Sequence, residues 1–283
     1  MPETIKSFTD WRTWLYLKEH CTTELVSAMA GRTPKVDEST PEQLKAHVAP
    51  VDRFIVLGLK WPLAGYDVPN EYIAEHVADY GGRAVAFACV HPDDAGAPAE
   101  FERCVTRLGM RGLSLCALAQ RFDPHGEGAW KLYDMAHQLK VPLVMNQFLN
   151  TGYPRTELDY ASPMLVDRIA LRYPQLRIIM AHLGNPWCEE TILLVRKHRN
   201  VYADLALLYN KKWQFYHAMQ FALDYDVTGK LLFGSDAPFQ GPADAAQSFR
   251  AINTWASARG MPTIPEHIID DILYRRPLEI LGI

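Results

Sequence analysis

Residues 176–184 read Leu-Arg-Ile-Ile-Met-Ala-His-Leu-Gly, and residues 232–238 read Leu-Phe-Gly-Ser-Asp-Ala-Pro. Each stretch is a short apolar run that ends in one charged or titratable residue, His182 or Asp236, close to a glycine or proline. A buried parallel strand delivers a side chain to the mouth of a barrel in this way. A histidine and an aspartate brought together there can bind a metal ion, move a proton, or do both. For either residue alone, the alternative is a buried polar group satisfied by its neighbours.

The same kind of apolar run recurs along the chain. Five further runs are nearly continuous in apolar residues, which is typical of parallel strands buried on both faces. These predicted strands cover residues 53–59, 83–90, 111–116, 141–146 and 200–205. Together with the runs that end at His182 and Asp236, they give seven predicted strands.

Helical periodicity fills the intervals between these strands. At 130–139 the apolar residues fall on one face, and Ser162 with Pro163 predicts a helix start. Further helices are predicted over 189–198 and 265–281. Strand–helix alternation predicts right-handed βαβ units, and therefore an α/β fold of the TIM (β/α)8-type barrel with its first strand missing or degenerate. An open doubly wound sheet is the alternative, weakened because no Gly-x-Gly-x-x-Gly motif follows a predicted strand.

The composition excludes several classes of protein. With 283 residues, 48% hydrophobic and 22% charged, the chain is an ordinary globular protein long enough for one barrel. A net charge of −4 without a basic tract argues against nucleic acid or a membrane surface as a partner. No run approaches the roughly 18 apolar residues of a transmembrane helix, and the N-terminus lacks an apolar signal core, so a cytoplasmic location is expected. Five scattered cysteines without a Cys-x-x-Cys pair indicate neither a disulfide framework nor a zinc knuckle.

The domain organisation predicted from the sequence is a single domain over residues 1–283. Residues 1–40 form an aromatic-rich N-terminal segment, and residues 41–283 form the barrel. The aromatic residues crowded near the start of the segment are Phe8, Trp11, Trp14 and Tyr16. They fit packing on the barrel, a homodimer surface, or an aromatic wall over the active site.

Four motifs make residues 41–283 similar to a known family. They are Arg111-Gly112-Leu113, Ala181-His182-Leu183-Gly184, Asn200-Val201-Tyr202 and Phe233-Gly234-Ser235-Asp236-Ala237-Pro238. The chain resembles the amidohydrolase superfamily, specifically the amidohydrolase-related group that includes pyrone-dicarboxylate lactonases and metal-dependent decarboxylases of aromatic acids. The resemblance implies a TIM barrel whose active site lies at the carboxyl ends of the strands.

The resemblance also implies roles for two residues. The family aspartate that matches Asp236 binds the metal or transfers a proton, and the histidine that matches His182 ligates the metal or hydrogen-bonds the substrate. Three family ligand positions differ here: no His-x-His motif exists, Ser114 stands for the fourth-strand lysine, and Asn146 stands for the fifth-strand histidine. His182 and Asp236 alone hold zinc weakly. Two expectations therefore stay open: one weakly bound divalent ion, zinc or manganese, or no metal.

Five further side chains are candidates for substrate binding. They follow predicted strands or lie in loops expected to cover the barrel mouth. The candidates are His91, His125, Asn146, Gln147 and Asp204. For each of them, packing or loop capping is the alternative interpretation.

The functional hypothesis is hydrolysis of a small polar substrate such as a lactone or amide. Asp236 is the expected general base, and His182 the group that polarises the carbonyl or holds a metal. One alternative is a metal-dependent, non-oxidative decarboxylase of an aromatic or unsaturated acid. Another is a non-catalytic barrel that binds a ligand or a subunit. The expected partner is a small-molecule substrate, with a homodimer as a further expectation.

Overall fold

Eight short strands form the frame of the protein. The structure is a computed structural model that describes residues 5–8, 41–62, 66–146, 157–237 and 240–283. The frame strands are β1 (Ile5–Phe8), β2 (Val51–Leu57), β3 (Ala84–Phe87), β4 (Leu113–Leu115), β5 (Leu143–Asn146), β6 (Ile178–Ala181), β7 (Val201–Asp204) and β8 (Leu231–Leu232). A separate antiparallel pair, Lys60–Trp61 with Tyr66–Asp67, lies outside the frame.

All eight strands run parallel and follow one another in chain order. Hydrogen-bonded ladders join β1-β2-β3 and β4-β5-β6-β7-β8. An isolated parallel bridge between Ala88 and Leu113 connects the two runs. The helix Glu266–Tyr274 packs against both β1 and β8, the first and last strands. This order of strands is that of a TIM (β/α)8-type barrel.

The first strand of the barrel is present at Ile5–Phe8. It pairs in parallel with β2, with Ile5 opposite Val51 and Phe8 opposite Ile55. Its sequence, Ile-Lys-Ser-Phe, lacks the continuous apolar run that marks the other strands, which explains why the sequence analysis left it open as missing or degenerate. The strand lies inside the segment 1–40, and the aromatic residues Trp11, Trp14 and Tyr16 lie outside the described residues.

The helices lie between successive strands and cover the sheet. They are α1 (Pro41–Val48), α2 (Asn70–Ala78), α3 (Ala97–Thr106), α4 (Ala117–Gln120), α5 (Glu127–Gln138), α6 (Leu165–Arg172), α7 (Cys188–Lys197), α8 (Lys212–Asp224), α9 (Pro242–Ser257), α10 (Glu266–Tyr274) and α11 (Pro277–Leu281). Short 3-10 turns precede or follow several of them, among them His182–Gly184 after β6 and Leu208–Asn210 after β7. None of the helices in the described ranges is long and apolar enough to cross a membrane.

Two predicted helix boundaries differ from the structure. The helix predicted over 265–281 is split into α10 and α11 at Pro277. Proline has no N–H to donate and forces the preceding residue out of the helical region, so the helix cannot continue through it. The start predicted at Ser162 is also two residues early. The N–H groups of Leu165 and Val166 bond to the carbonyls of Ser162 and Pro163 in a tight turn, and α6 begins at Leu165.

The hydrophobic core has two layers because strand residues alternate between the two faces of the sheet. Phe54 and Val56 belong to the large cluster that packs under the helices. Ile55, between them in sequence, belongs to a second cluster enclosed by the strands. Residues of β3, β5, β6 and β8 contribute to this inner cluster, and Leu278 and Leu281 of α11 complete it. The barrel interior is therefore filled with side chains, and the site must lie at its mouth.

Candidate active site

Three neighbouring strands bring titratable side chains to the carboxyl end of the barrel. His182 directly follows β6, Asp204 ends β7, and Asp236 follows β8. The ladder order places β7 between β6 and β8. Because parallel strands end at the same edge of a sheet, the three side chains are close enough for their charges to interact. All three were candidates from the sequence, and the fold brings them close together at one end of the barrel.

Asp204 anchors the loops that leave two of these strands. Its side chain is 5% exposed, and Oδ1 accepts hydrogen bonds from the N–H of His182 at 3.1 Å and of Ala206 at 3.0 Å. Burial raises the pKa of Asp204, while His182 and the two N–H donors act in the opposite direction. The carboxyl group of Asp204 therefore holds the backbone of His182 and of Ala206 in place.

The imidazole of His182 is oriented by the same loop. Its Nδ1 lies 3.2 Å from the carbonyl oxygen of Ala206. A carbonyl oxygen only accepts, so Nδ1 carries the hydrogen, and the neutral ring has its lone pair on Nε2. The ring is 6% exposed. The bond to Ala206 therefore fixes the tautomer of the neutral ring and the direction in which Nε2 points.

Asp236 is the partly exposed member of the group. Burial raises the pKa of its carboxyl group from the ordinary 3.8 to about 6, the charge of His182 lowers it, and the charge of Asp204 raises it. A carboxyl group with this pKa exchanges its proton close to neutral pH. That property suits a general acid or base.

Both His182 and Asp236 sit on strained backbone. His182 has a φ of 54° and Asp236 a φ of 57°, in the left-handed region that residues other than glycine seldom adopt. Leu183 follows with a φ of 50°. Strain of this kind costs about 1–3 kcal/mol per residue and clusters at functional sites. The two strand-end turns therefore support a functional site independently of the charges.

Tyr209 is a further member of the site that the sequence analysis missed. Its ring packs against Phe215, Phe233 and Phe249 at centroid distances of 5.1, 5.8 and 5.7 Å. Burial, together with the charge of Asp204, raises the pKa of its hydroxyl group. In the sequence Tyr209 follows an apolar run and looks like any core tyrosine, so no local pattern could distinguish it.

A polar rim joins the loops after β6 and β7. The ammonium group of Lys211 donates to Oδ1 of Asn185 at 3.1 Å, and Nδ2 of Asn185 donates to Oε1 of Gln214 at 2.8 Å. Asn185 is buried, and its N–H bonds to the carbonyl of His182 at 3.0 Å. The rim thus places the ammonium group of Lys211 against Asn185, the third residue after His182 in the chain. Lys211 and Asn185 are 26 residues apart in sequence, so only the fold reveals the pair.

Two of the predicted substrate-binding histidines bond to backbone atoms elsewhere. Nε2 of His91 lies 2.6 Å from the carbonyl oxygen of Gln120, and its Nδ1 accepts the N–H of Asp93 at 3.3 Å. Nε2 of His125 lies 2.9 Å from the carbonyl oxygen of Leu165. Substrate contact by these two residues stays a prediction. Their observed bonds stabilise loops.

The two predicted amides follow or end β5. Asn146 is the last residue of β5, partly buried, and stands opposite Ala181, the residue before His182. That register places Asn146 at the edge of the barrel where the site lies. Gln147 lies outside the described residues. A role for either amide in binding substrate stays a prediction.

The described residues do not fit the metal that the resemblance implies. No group of three or more His, Cys, Asp or Glu side chains in the described part of the chain is arranged to hold a metal ion. Oδ1 of Asp204 already accepts two N–H groups, and Ser114 and Asn146 occupy the positions where the family has ligands. An asparagine amide is a poor zinc ligand. No step of the reaction is therefore assigned to a metal.

Comparison with solved structures agrees with this architecture. An uncharacterized TIM-barrel protein from Bordetella bronchiseptica superposes with a TM-score of 0.73 at 18% identity, covering 99% of this chain and 98% of that one. The 5-carboxyvanillate decarboxylase of Novosphingobium aromaticivorans, complexed with manganese, gives 0.68 at 14% identity, with 100% and 97% covered. A probable 2-pyrone-4,6-dicarboxylic acid hydrolase from Acinetobacter baumannii gives 0.64 at 14% identity, with both chains covered completely.

A family model for amidohydrolases matches residues 24–283, which is most of the chain. The match includes His182, Asp204 and Asp236 and all strands from β2 to β8. The fold comparisons show the same barrel architecture, and this match shows the family. The chain therefore belongs to the amidohydrolase family.

Proposed function

We propose that the protein hydrolyses a small lactone or amide with Asp236 as the general base. The supporting observation is that Asp236 is partly exposed at the barrel mouth, beside His182, with a pKa raised to about 6. At pH 7 such a carboxyl group is ionised in most molecules and remains close to the operating pH, where proton transfer is most efficient. The family includes hydrolases, as the fold relative from Acinetobacter illustrates.

The proposed reaction has two proton transfers, both through Asp236. Its carboxylate takes a proton from water while the water oxygen bonds to the carbonyl carbon. The carbonyl electron pair moves onto oxygen and then returns, which breaks the bond to the ring oxygen. The departing alkoxide takes the proton from Asp236. One water is consumed and one hydroxy acid is formed, and Asp236 ends as it began.

His182 is proposed to bind the carbonyl oxygen as negative charge develops there. Its Nδ1 is held by the carbonyl of Ala206, so a hydrogen bond to the substrate oxygen comes from Nε2, which donates only when it carries a proton. The fixed position of the ring keeps the donor aligned without reorganisation during the reaction. Lys211 and Asn185 on the rim are positioned to orient a polar substituent of the substrate.

Decarboxylation is a second candidate, favoured by the same raised pKa. A carboxyl group with a pKa of about 6 is half protonated at pH 6 and can donate to carbon. The substrate carboxylate would leave as carbon dioxide, its electron pair would remain on the ring carbon, and Asp236 would protonate that carbon. The Novosphingobium relative is a decarboxylase complexed with manganese.

A pH-stat assay separates the two reactions. Hydrolysis of dihydrocoumarin or δ-valerolactone releases a proton, whereas decarboxylation of hydroxybenzoates under a carbon dioxide-free gas stream consumes one. The assay is run with and without added manganese. We expect proton release with a lactone, and kcat/KM should fall about tenfold per pH unit below pH 6 as Asp236 becomes protonated.

Asp236→Asn is the decisive variant. Removal of a general base should lower kcat by about 100-fold or more. Asp224→Asn is the matched control, because Asp224 is exposed at the end of α8 and lies outside the site. If Asp236→Asn changes turnover by no more than about threefold, which is about 0.7 kcal/mol, Asp236 is not the base. Proton uptake with a hydroxybenzoate, and no lactone turnover, would instead establish the decarboxylase.

A further inference from the structure

A cavity lies at the opposite end of the barrel from His182. It has a volume of about 480 Å³. Its walls come from the turn between α5 and β5 and from the turn between α6 and β6. Both turns precede strands, so the cavity opens at the amino end of the barrel, and it shares no described lining residue with the candidate active site.

The charge on the walls of this cavity has one sign. Lys140 and Arg177 line it together with His137, and the described lining residues include no acidic side chain. Their main chains are hydrogen-bonded, but the side chains of Lys140 and Arg177 form no hydrogen bond or ion pair with any other described residue. Other cations of the same region are paired: Arg172, for example, lies 3.6 Å from Asp134. Two cations that face one cavity, with no side-chain partner among the described residues, are available for an anionic ligand.

The backbone beside each cation has an unusual local feature. Lys140 follows α5 with a φ of 56°, a position at which glycine is usual after a helix. A lysine at this position therefore costs backbone strain that a glycine would avoid. The guanidinium of Arg177 lies against Gly282, where a β-carbon would approach within 2.9 Å of Nη1 and 3.1 Å of Cζ. The absence of a side chain at Gly282 makes room for the guanidinium group.

The rest of the cavity indicates the kind of molecule it fits. Ala136, Val141 and Leu176 provide buried apolar walls, and two glutamine side chains, Gln138 and Gln175, provide amides. A volume of this size is in the range of small-molecule sites. We propose that this cavity binds a small organic anion that carries two negative charges on a short apolar body. A dicarboxylate and a phosphate monoester share this chemistry.

Titration calorimetry at low ionic strength tests the proposal, since salt screens such charges. The probes are succinate, phenyl phosphate and, as the uncharged control, succinamide. We expect succinate or phenyl phosphate to bind with a dissociation constant below about 1 mM and succinamide not to bind. Which of the two anions binds identifies the dicarboxylate or the phosphate monoester. Absence of binding by both anions would overturn the proposal.

Variants locate the binding site. The double variant Lys140→Gln, Arg177→Gln should weaken binding at least about tenfold, equivalent to ~1.4 kcal/mol. Arg168→Gln is the control, because Arg168 is an exposed cation on α6 that lies outside the cavity and has no side-chain partner among the described residues. Unchanged affinity in the double variant would place the anion elsewhere, including the active site. An equal loss in Arg168→Gln would indicate attraction to surface charge alone. Either result overturns the proposal.

Lys140→Gly separates binding from folding. It removes one cation and also relieves the left-handed strain at position 140, so the variant should unfold at a higher denaturant concentration than wild type. We expect it to bind the anion more weakly although it is more stable. Binding that is unchanged in this well-folded variant would remove Lys140 from the site and overturn its role.

Discussion

Asp236→Asn should stabilise the protein at neutral pH while it removes activity. Burial raises the folded-state pKa of Asp236 to about 6, whereas an unfolded aspartate titrates near 3.8. Between these values the folded state holds a proton that the unfolded state has lost. Stability therefore falls as pH rises through this window, and the loss is complete above about pH 6. The wild-type protein therefore carries the full cost at neutral pH.

The size of the effect follows from the shift in pKa. A change from 3.8 to about 6 is about 2.2 units, and at 1.36 kcal/mol per unit this is at most about 3 kcal/mol. Because Asp236 is partly exposed, solvent screening reduces the expected gain for asparagine to about 1–3 kcal/mol. In a protein of this length, 1 kcal/mol corresponds to roughly 2–4 °C in Tm.

Urea unfolding of wild type and Asp236→Asn at several pH values from 4 to 8 measures the effect. The stability gained by the variant should be small near pH 4, rise up to about pH 6 and then level off. Asp224→Asn, with an exposed carboxyl group, should show no such trend. A variant that is no more stable than wild type at pH 8, or a difference that does not change with pH, would refute the assignment of a raised pKa to Asp236.

Two further predictions concern the backbone around the site and the core. Asp204→Ala leaves the N–H groups of His182 and Ala206 without their acceptor and should destabilise the protein by about 2 kcal/mol or more. Asp204→Asn keeps an oxygen acceptor and should cost much less. The urea midpoints of the two variants measure the difference. Gly112→Ala puts a methyl group into the buried ring of Phe87 and should cost about 1–3 kcal/mol. A β-carbon added at Gly229 would have no other atom within 4 Å, so Gly229→Ala should change stability by less than about 0.5 kcal/mol. Equal urea midpoints for Gly112→Ala and Gly229→Ala would contradict this packing.

Most of the fold was predictable because the strands are buried on both faces. Seven apolar runs correspond to β2 through β8, and the helices between them follow from their amphipathic patterns. The first strand was not predicted from the sequence because Ile-Lys-Ser-Phe is too short and too polar to be recognised as a buried strand. It is a strand because it pairs with β2. The break at Pro277 was predictable from the missing N–H, but the helical pattern on both sides concealed it.

The candidate site was predictable in part. His182 and Asp236 stand out because each is a titratable residue at the end of an apolar run, and parallel strands bring such ends to one edge of the barrel. Tyr209 could not be distinguished from a core tyrosine, since it is buried among aromatic rings and differs only in its position near Asp204. The predictions for His91 and His125 rested on position along the chain, which does not show that their ring nitrogens bond to backbone carbonyls.

By itself, the sequence determined the alternation of strands and helices and the positions of His182 and Asp236 at strand ends. These features depend on local patterns of apolar and polar residues, which a linear chain carries directly. Only the tertiary structure decided that Asp204 holds the backbone of His182, that Asp236 has a pKa of about 6, and that Lys140 and Arg177 face one cavity. Hydrogen bonds, burial and charge interactions depend on distances between residues far apart in the chain, and those distances exist only once the barrel has folded.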